Sequence, residues 1–128
     1  VNHTDTIYGL QLLDMGQFVY DKTYVASLDD DQRVNVWDLT QAEPKHVSSF
    51  YAHSFGGFTY SLMALKNGKV AVGGASKVHI FDALTAQLKY VLQKDRFSWY
   101  VLDMAYLPSK NFLAATDYNG ICVWELYD

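Results

Sequence analysis

Apolar residues along this chain fall at every second position, not at the three-to-four spacing of a helix. The alternation is clearest in three short stretches: RVNVWDL (Arg33–Leu39), KVHIFDA (Lys77–Ala83) and GICVWEL (Gly120–Leu126). Each reads x-apolar-x-apolar-aromatic-acid-apolar, the signature of a strand whose two faces meet different surroundings. An apolar run lies upstream of each: TYVASL (Thr23–Leu28), KVAVGG (Lys69–Gly74) and NFLAAT (Asn111–Thr116). Turn residues separate run from cadence: DDDQ, GGAS and DYNG. In the last of these, Asn119-Gly120 is a hairpin signal, because both residues accept the positive φ of a tight primed turn. Tyr8–Leu10, Tyr60–Leu62 and Tyr100–Leu102 open a third recurring strand, and KHVSSFYAH and QLKYVLQKD follow the first two cadences as a fourth. The pattern predicts strands over 7–13, 23–28, 33–38, 46–52, 59–65, 69–73, 77–82, 87–93, 99–107, 111–116 and 120–125. No segment keeps helical periodicity for the ten or so residues a helix needs. The gap from Asp14 to Lys22 exceeds its counterparts and has room for a bulge or a shifted strand.

The aromatic positions Trp37, Phe81 and Trp124 stand 44 and 43 residues apart. Self-similarity at about 40–45 residues is the period of a four-stranded propeller blade. Short strands with turn signals also suit a β-sandwich, but a sandwich has no reason to restate one motif at a fixed interval. The expected fold class is therefore all-β: a partial β-propeller of three antiparallel blades in one domain, 1–128. Blade one covers about 3–52, blade two about 53–94, and blade three about 95–128, without its outer strand. Along each third strand Val34 and Val36, Val78 and Ile80, and Ile121 and Val123 share one face and should pack between blades. Asn35, His79 and Cys122 take the opposite face beside the aromatic, with His79 read as a packed polar residue and not a ligand.

Composition narrows the picture further. Half the 128 residues are hydrophobic, enough for a real core in one unit of ordinary size. Ten Tyr, seven Phe and three Trp favour pleated, half-buried surfaces. A net charge of −4 disfavours a nucleic-acid backbone as partner. The single Cys122 forms no intrachain disulfide and no thiolate zinc site, in keeping with a reducing compartment, cytoplasm or nucleus. Asn2–Thr4 fits the glycosylation acceptor pattern, a short match of low specificity. No apolar run reaches the roughly 18 residues of a membrane span. The chain opens at Val1 with no signal-peptide pattern and reads as a processed or excised piece.

At these residues the sequence resembles the WD-repeat family of β-propellers, over essentially its whole length and best in the first unit. The resemblance implies a hydrogen-bonded tetrad in each blade: a His before the first strand, a Ser or Thr in the second, an Asp in the following turn and a Trp in the third. His3, Ser27, Asp31 and Trp37 match all four, and Asp38 completes the terminal dipeptide. The chemistry agrees with the assignment. A buried indole N–H needs an acceptor, a hydroxyl can relay to imidazole, and a carboxylate can hold that imidazole by a charge-assisted bond. His, Ser and Asp are also hydrolase ingredients, but Trp37 would cap the hydroxyl, so the structural reading stands. Unit two keeps His53 yet has Phe81 for Trp and no turn Asp. Unit three keeps Trp124, with Asn119 in the turn and Asp95 near the His position.

Closed propellers use about four to eight blades, so three imply open ends. Apolar sides made by Val34, Val36, Ile121 and Val123 are expected to be wet there, and the edge of strand 120–125 unpaired. The remaining blades, a second copy or another protein would cover them. The chain reads as the C-terminal part of a longer propeller or, alternatively, as a three-blade unit pairing with itself, blade one beside blade three of its mate.

No catalytic, metal or cofactor constellation stands out. The expected function is a non-catalytic scaffold or adaptor that binds proteins or peptides. The alternative is a regulatory or targeting propeller joined to a catalytic domain outside this chain. Loops before first strands and between second and third strands share one ring face. They carry Asp5, Asp29, Asp30, Phe55, Phe58, Asp95, Arg96, Phe97, Trp99, Asp117 and Tyr118. Aromatics among carboxylates suit a peptide bearing Lys or Arg.

Overall fold

The computed structural model describes residues 7–14, 23–29, 33–51, 61–74, 77–93, 101, 103–117 and 120–127, with Ile7, Tyr8 and Asp117 described by their backbone alone. Eleven strands account for most of them. β1 (Ile7–Leu12), β2 (Tyr24–Asp29), β3 (Arg33–Asp38) and β4 (Lys45–Tyr51) form the first sheet. β5 (Ser61–Ala64), β6 (Lys69–Gly73), β7 (Lys77–Asp82) and β8 (Gln87–Gln93) form the second. β9 (Asp103–Leu107), β10 (Phe112–Asp117) and β11 (Gly120–Glu125) form the third. All neighbours within each sheet are antiparallel and in sequence order. The eleven predicted strands are therefore present, with ends shifted by a few residues. The largest shift is at β9, which opens at Asp103 where 99 was expected. Val101 donates its N–H to the Gly74 carbonyl and so ties the third sheet to the second before β9 begins.

Alternation along β7 separates two neighbouring sheets, not core from solvent. Val34, Val36, Ala26 and Leu28 face forward onto Val70, Val72 and Phe81 of the second sheet, in one buried cluster. Val78, Ile80 and Ala71 face forward onto Met104, Leu113, Ala115 and Cys122 of the third sheet, in another. Among the described sheets the second is thus covered on both sides, and the buried run of β6 follows from that. Outer β4 and β8 are mostly exposed. Burying each valine or isoleucine is worth roughly 1.5–3 kcal/mol, so the two sheet-to-sheet interfaces hold the molecule together.

One expectation is corrected here. Val34 and Val36 do not lie at an open end; both are 0% exposed. Periodicity gives which residues share a face but not which way that face points, and this face points toward the following sheet. The same rule leaves Ile121 (69% exposed) and Val123 (57%) uncovered, as expected, because no described sheet follows β11. At the other end the uncovered apolar residues are Leu10 and Leu12 on β1.

Polar bonds add register between the sheets. Gln11 Oε1 accepts the Ala64 N–H, Ser48 Oγ donates to the Ala83 carbonyl, and Ser61 Oγ donates to the Val101 carbonyl. The inner strands β1, β5 and β9 lie side by side in that order. The approach is close enough that a Cβ on Gly73 would run into the Ser61 hydroxyl and the Val101 side chain. β3–β4 and β7–β8 carry the same irregularity, between Val36 and Trp37 and between Ile80 and Phe81. In both, the bulge sits just before the aromatic of the cadence.

Turn chemistry completes the sheets. Gly120 opens β11 opposite Asp117, with φ 155, while Asn119 lies outside the described residues. Between β7 and β8, Asp82 Oδ1 accepts the N–H groups of Leu84 and Thr85, and Ala86 donates to the Asp82 carbonyl. That closure places Ala86 at φ 63, where a Cβ is unfavourable. Ala86→Gly is expected to raise unfolding stability by about 1 kcal/mol by relieving this conformation. Urea unfolding checks it; an unchanged or lowered midpoint contradicts the assignment.

Candidate interaction site

The backward face of the first sheet holds the residues nearest to the expected tetrad. β2 and β3 pair Ser27 with Asn35 and Val25 with Trp37, placing these side chains on one side. The Trp37 indole N–H donates to Ser27 Oγ at 3.1 Å. Ser27 is buried, so the bond satisfies a donor and an acceptor that water does not reach easily. His3 and Asp31 lie outside the described residues. Beside the pair, Asn35 Oδ1 meets His46 Nε2 at 3.2 Å, and the His46 ring stands edge-on to Trp37 at 5.3 Å. The sequence reading did not single out this Asn35–His46 contact. The signal for it was an Asn at the cadence position that the other units fill with His79 and Cys122.

In the second sheet an apolar contact stands where the aromatic differs. Phe81 stacks on Phe50 of the first sheet with ring centroids 4.5 Å apart. Substituting Phe for Trp thus removes an indole donor and serves the sheet interface. His79 is half-buried on the same face as Phe81, its ring 6.3 Å away, as the packed-residue reading anticipated. His53 falls outside the described residues. In the third sheet Trp124 packs beside the second buried cluster, and Cys122 is a buried free thiol within it. Asn111, at φ 55, anchors the chain after β11: its Nδ2 donates to the Leu126 carbonyl, its own carbonyl accepts the Leu126 N–H, and its Oδ1 accepts the Tyr106 hydroxyl.

Most of the expected loop-face residues lie outside the described residues: Asp5, Asp30, Phe55, Phe58, Asp95, Arg96, Phe97, Trp99 and Tyr118. Asp117 ends β10. Asp29 differs from expectation. It is 1% exposed, and its Oδ1 accepts the Arg33 N–H at 3.1 Å across the β2–β3 connection. It clasps a turn from inside and offers no surface to a partner. Arg33 in turn donates to the Tyr51 hydroxyl at 2.9 Å and lies over its ring. Among the described residues no group of three or more His, Cys, Asp or Glu side chains is arranged to hold a metal ion. No described helix is long and apolar enough to cross a membrane.

Solved structures share this architecture. The crystal structure of the RRP9 WD40 repeats aligns with a TM-score of 0.76 over 98% of this chain, at 15% identity. A structure of U3-55K aligns equally well, also at 15% identity. The chain covers 37% of the first and 38% of the second, well under half of either. No protein-family model matches the sequence, and no curated protein matches it. The fold is that of WD-repeat propeller blades, three successive sheets of an incomplete ring.

The Ser27–Trp37 bond is open to a direct test. Trp37→Phe and Ser27→Ala should each destabilise the chain, and a double-mutant cycle should return a coupling of about 0.5–1.5 kcal/mol, the net worth of one hydrogen bond. Additive single effects would remove the bond from the stability account.

Proposed function

We propose that this chain is the interaction portion of a non-catalytic propeller, an intracellular scaffold or adaptor whose loop face receives protein or peptide partners. Its blades would run over about 3–52, 53–94 and 95–128. The observation that carries the reading is the antiparallel order within every sheet. Connections β2–β3, β6–β7 and β10–β11 emerge at the same end as those leading into β5 and β9. On those connections the sequence sets Phe97, Trp99 and Tyr118 among Asp30, Asp95 and Asp117. Carboxylates beside aromatic faces attract Lys and Arg by ionic and cation–π contact. Phe55, Phe58 and Arg96 would border the same patch. The tetrad His3, Ser27, Asp31 and Trp37 serves structure in this reading, holding the end of blade one on which Asp30 sits.

Two measurements test it. Charge reversal at Asp30 and Asp95 should weaken binding of a Lys/Arg-rich peptide and leave unfolding unchanged. Added salt should slow association, since exposed charges are screened over about 10 Å at 0.1 M. A partner bound equally well by the double reversal would remove the loop face from consideration. For the tetrad, Asp31→Ala should cost on the order of 1.5–3 kcal/mol, the range for a hydrogen bond to a charged group. Asp30→Ala is the control; equal small losses at both positions would reject the assignment.

A further inference from the structure

The dipeptide Asn-Gly occurs twice, at Asn67-Gly68 and Asn119-Gly120. In this pair the following backbone nitrogen can attack the asparagine side chain readily, because glycine has no Cβ to obstruct the approach. Asn67 is exposed in a short 3-10 turn, Lys66–Gly68, between β5 and β6. It sits at φ 62 and ψ 36, the left-handed region that asparagine tolerates. Gly68 follows at φ 75 and is buried.

Gly68 is held as few surface turns are. Its N–H donates to the Asp14 carbonyl, just past β1 in the first sheet, and its own carbonyl accepts the Ala83 N–H, just past β7. The Ala83 carbonyl in turn accepts the Ser48 hydroxyl of β4. One chain of bonds therefore runs Ser48, Ala83, Gly68, Asp14, leaving the first sheet at β4 and returning to it beyond β1. Ala83, and Leu13 beside Asp14, belong to the apolar cluster between those sheets. Gly68 is thus released only when the first sheet parts from the second at this end.

We propose that Asn67 is a site of covalent modification by water, closed while the first two sheets are joined and reactive when they part. Three features keep it closed. The attacking nitrogen must lose its proton, and the Asp14 carbonyl holds that proton. The five-membered ring requires the Gly68 nitrogen to eclipse the Asn67 Cβ, and ψ 36 keeps it well away. Burial of Gly68 excludes the water or hydroxide that takes the proton. After opening, the deprotonated Gly68 nitrogen bonds to the Asn67 Cγ, the bond from Cγ to the side-chain nitrogen breaks, and ammonia leaves. Water then adds to one of the two ring carbonyls, giving aspartate or isoaspartate. Isoaspartate carries Cβ in the main chain, so the lengthened turn no longer returns Gly68 to both Asp14 and Ala83. The junction stays loosened, and a transient separation of the sheets is recorded covalently. This site does not depend on the loop face.

The test incubates the 128-residue chain at mildly alkaline pH and follows both asparagines by peptide mapping. In the folded chain Asn67 should react at least about tenfold more slowly than in guanidinium, as a route through a sparsely populated local opening requires. Ser48→Ala cuts the chain of bonds at its first link. It should speed reaction at Asn67 about two- to tenfold, the worth of one hydrogen bond, and leave Asn119 unchanged. Leu113→Val weakens the interface of the second and third sheets and should leave Asn67 unchanged. Chain isolated with isoaspartate at position 67 should exchange the Gly68 and Ala83 amide hydrogens faster than the parent. The proposal falls if folded and denatured chains react alike at Asn67, or if Ser48→Ala has no effect there. It falls equally if Leu113→Val speeds Asn67 as well, because the route is then unfolding of the whole chain. Unchanged amide exchange in the isoaspartate form would reject the lasting loosening of the junction.

Discussion

Everything in this molecule depends on sheets that are apolar on both faces. A lone sheet of this kind cannot satisfy itself in water, because turning one face inward leaves the other wet. The first two sheets are relieved by stacking: the second and third each seal the forward face of their predecessor with their own backward face. The hydrogen bonds of Gln11, Ser48 and Ser61 fix how far one sheet slides over the next, but apolar area holds the stack. Stability is then close to a sum over units and the interfaces between neighbours.

That arrangement also explains what could be read from the sequence. Strands were legible because period two survives even when both faces are buried, as in β3 and β7. The repeat was legible because the aromatic and the acid return at a constant interval, and the bulges before Trp37 and Phe81 show that the interval is structural. The direction of each face was not legible. Val34 and Ile121 hold equivalent places in the cadence, yet one is sealed and the other open, since exposure depends on whether another sheet follows.

The site was legible only in part, for a related reason. Ser27 and Trp37 were identifiable through the WD-repeat resemblance, and they meet because they lie on paired strands, where register fixes which side chains share a face. Asp29 misled because an acid at the end of a strand looks like a solvated turn residue, while here it serves the Arg33 amide from within. Asn35 and His46 meet across β3–β4 through a pairing displaced by the bulge, which no simple count of residues anticipates.

Forward faces sealed by the next sheet make assembly directional in time. A ribosome delivers the first sheet before the residues that cover Val34 and Val36 exist outside the exit tunnel. With roughly 43 residues between equivalent positions and synthesis at about 5–20 residues per second, that face stays wet for about 2–9 s. Each newly finished unit therefore relieves the one before it and inherits the same exposure. Nascent chains of this design carry a travelling hydrophobic front, and slowing translation at the wrong codon would lengthen the interval in which a chaperone must guard it.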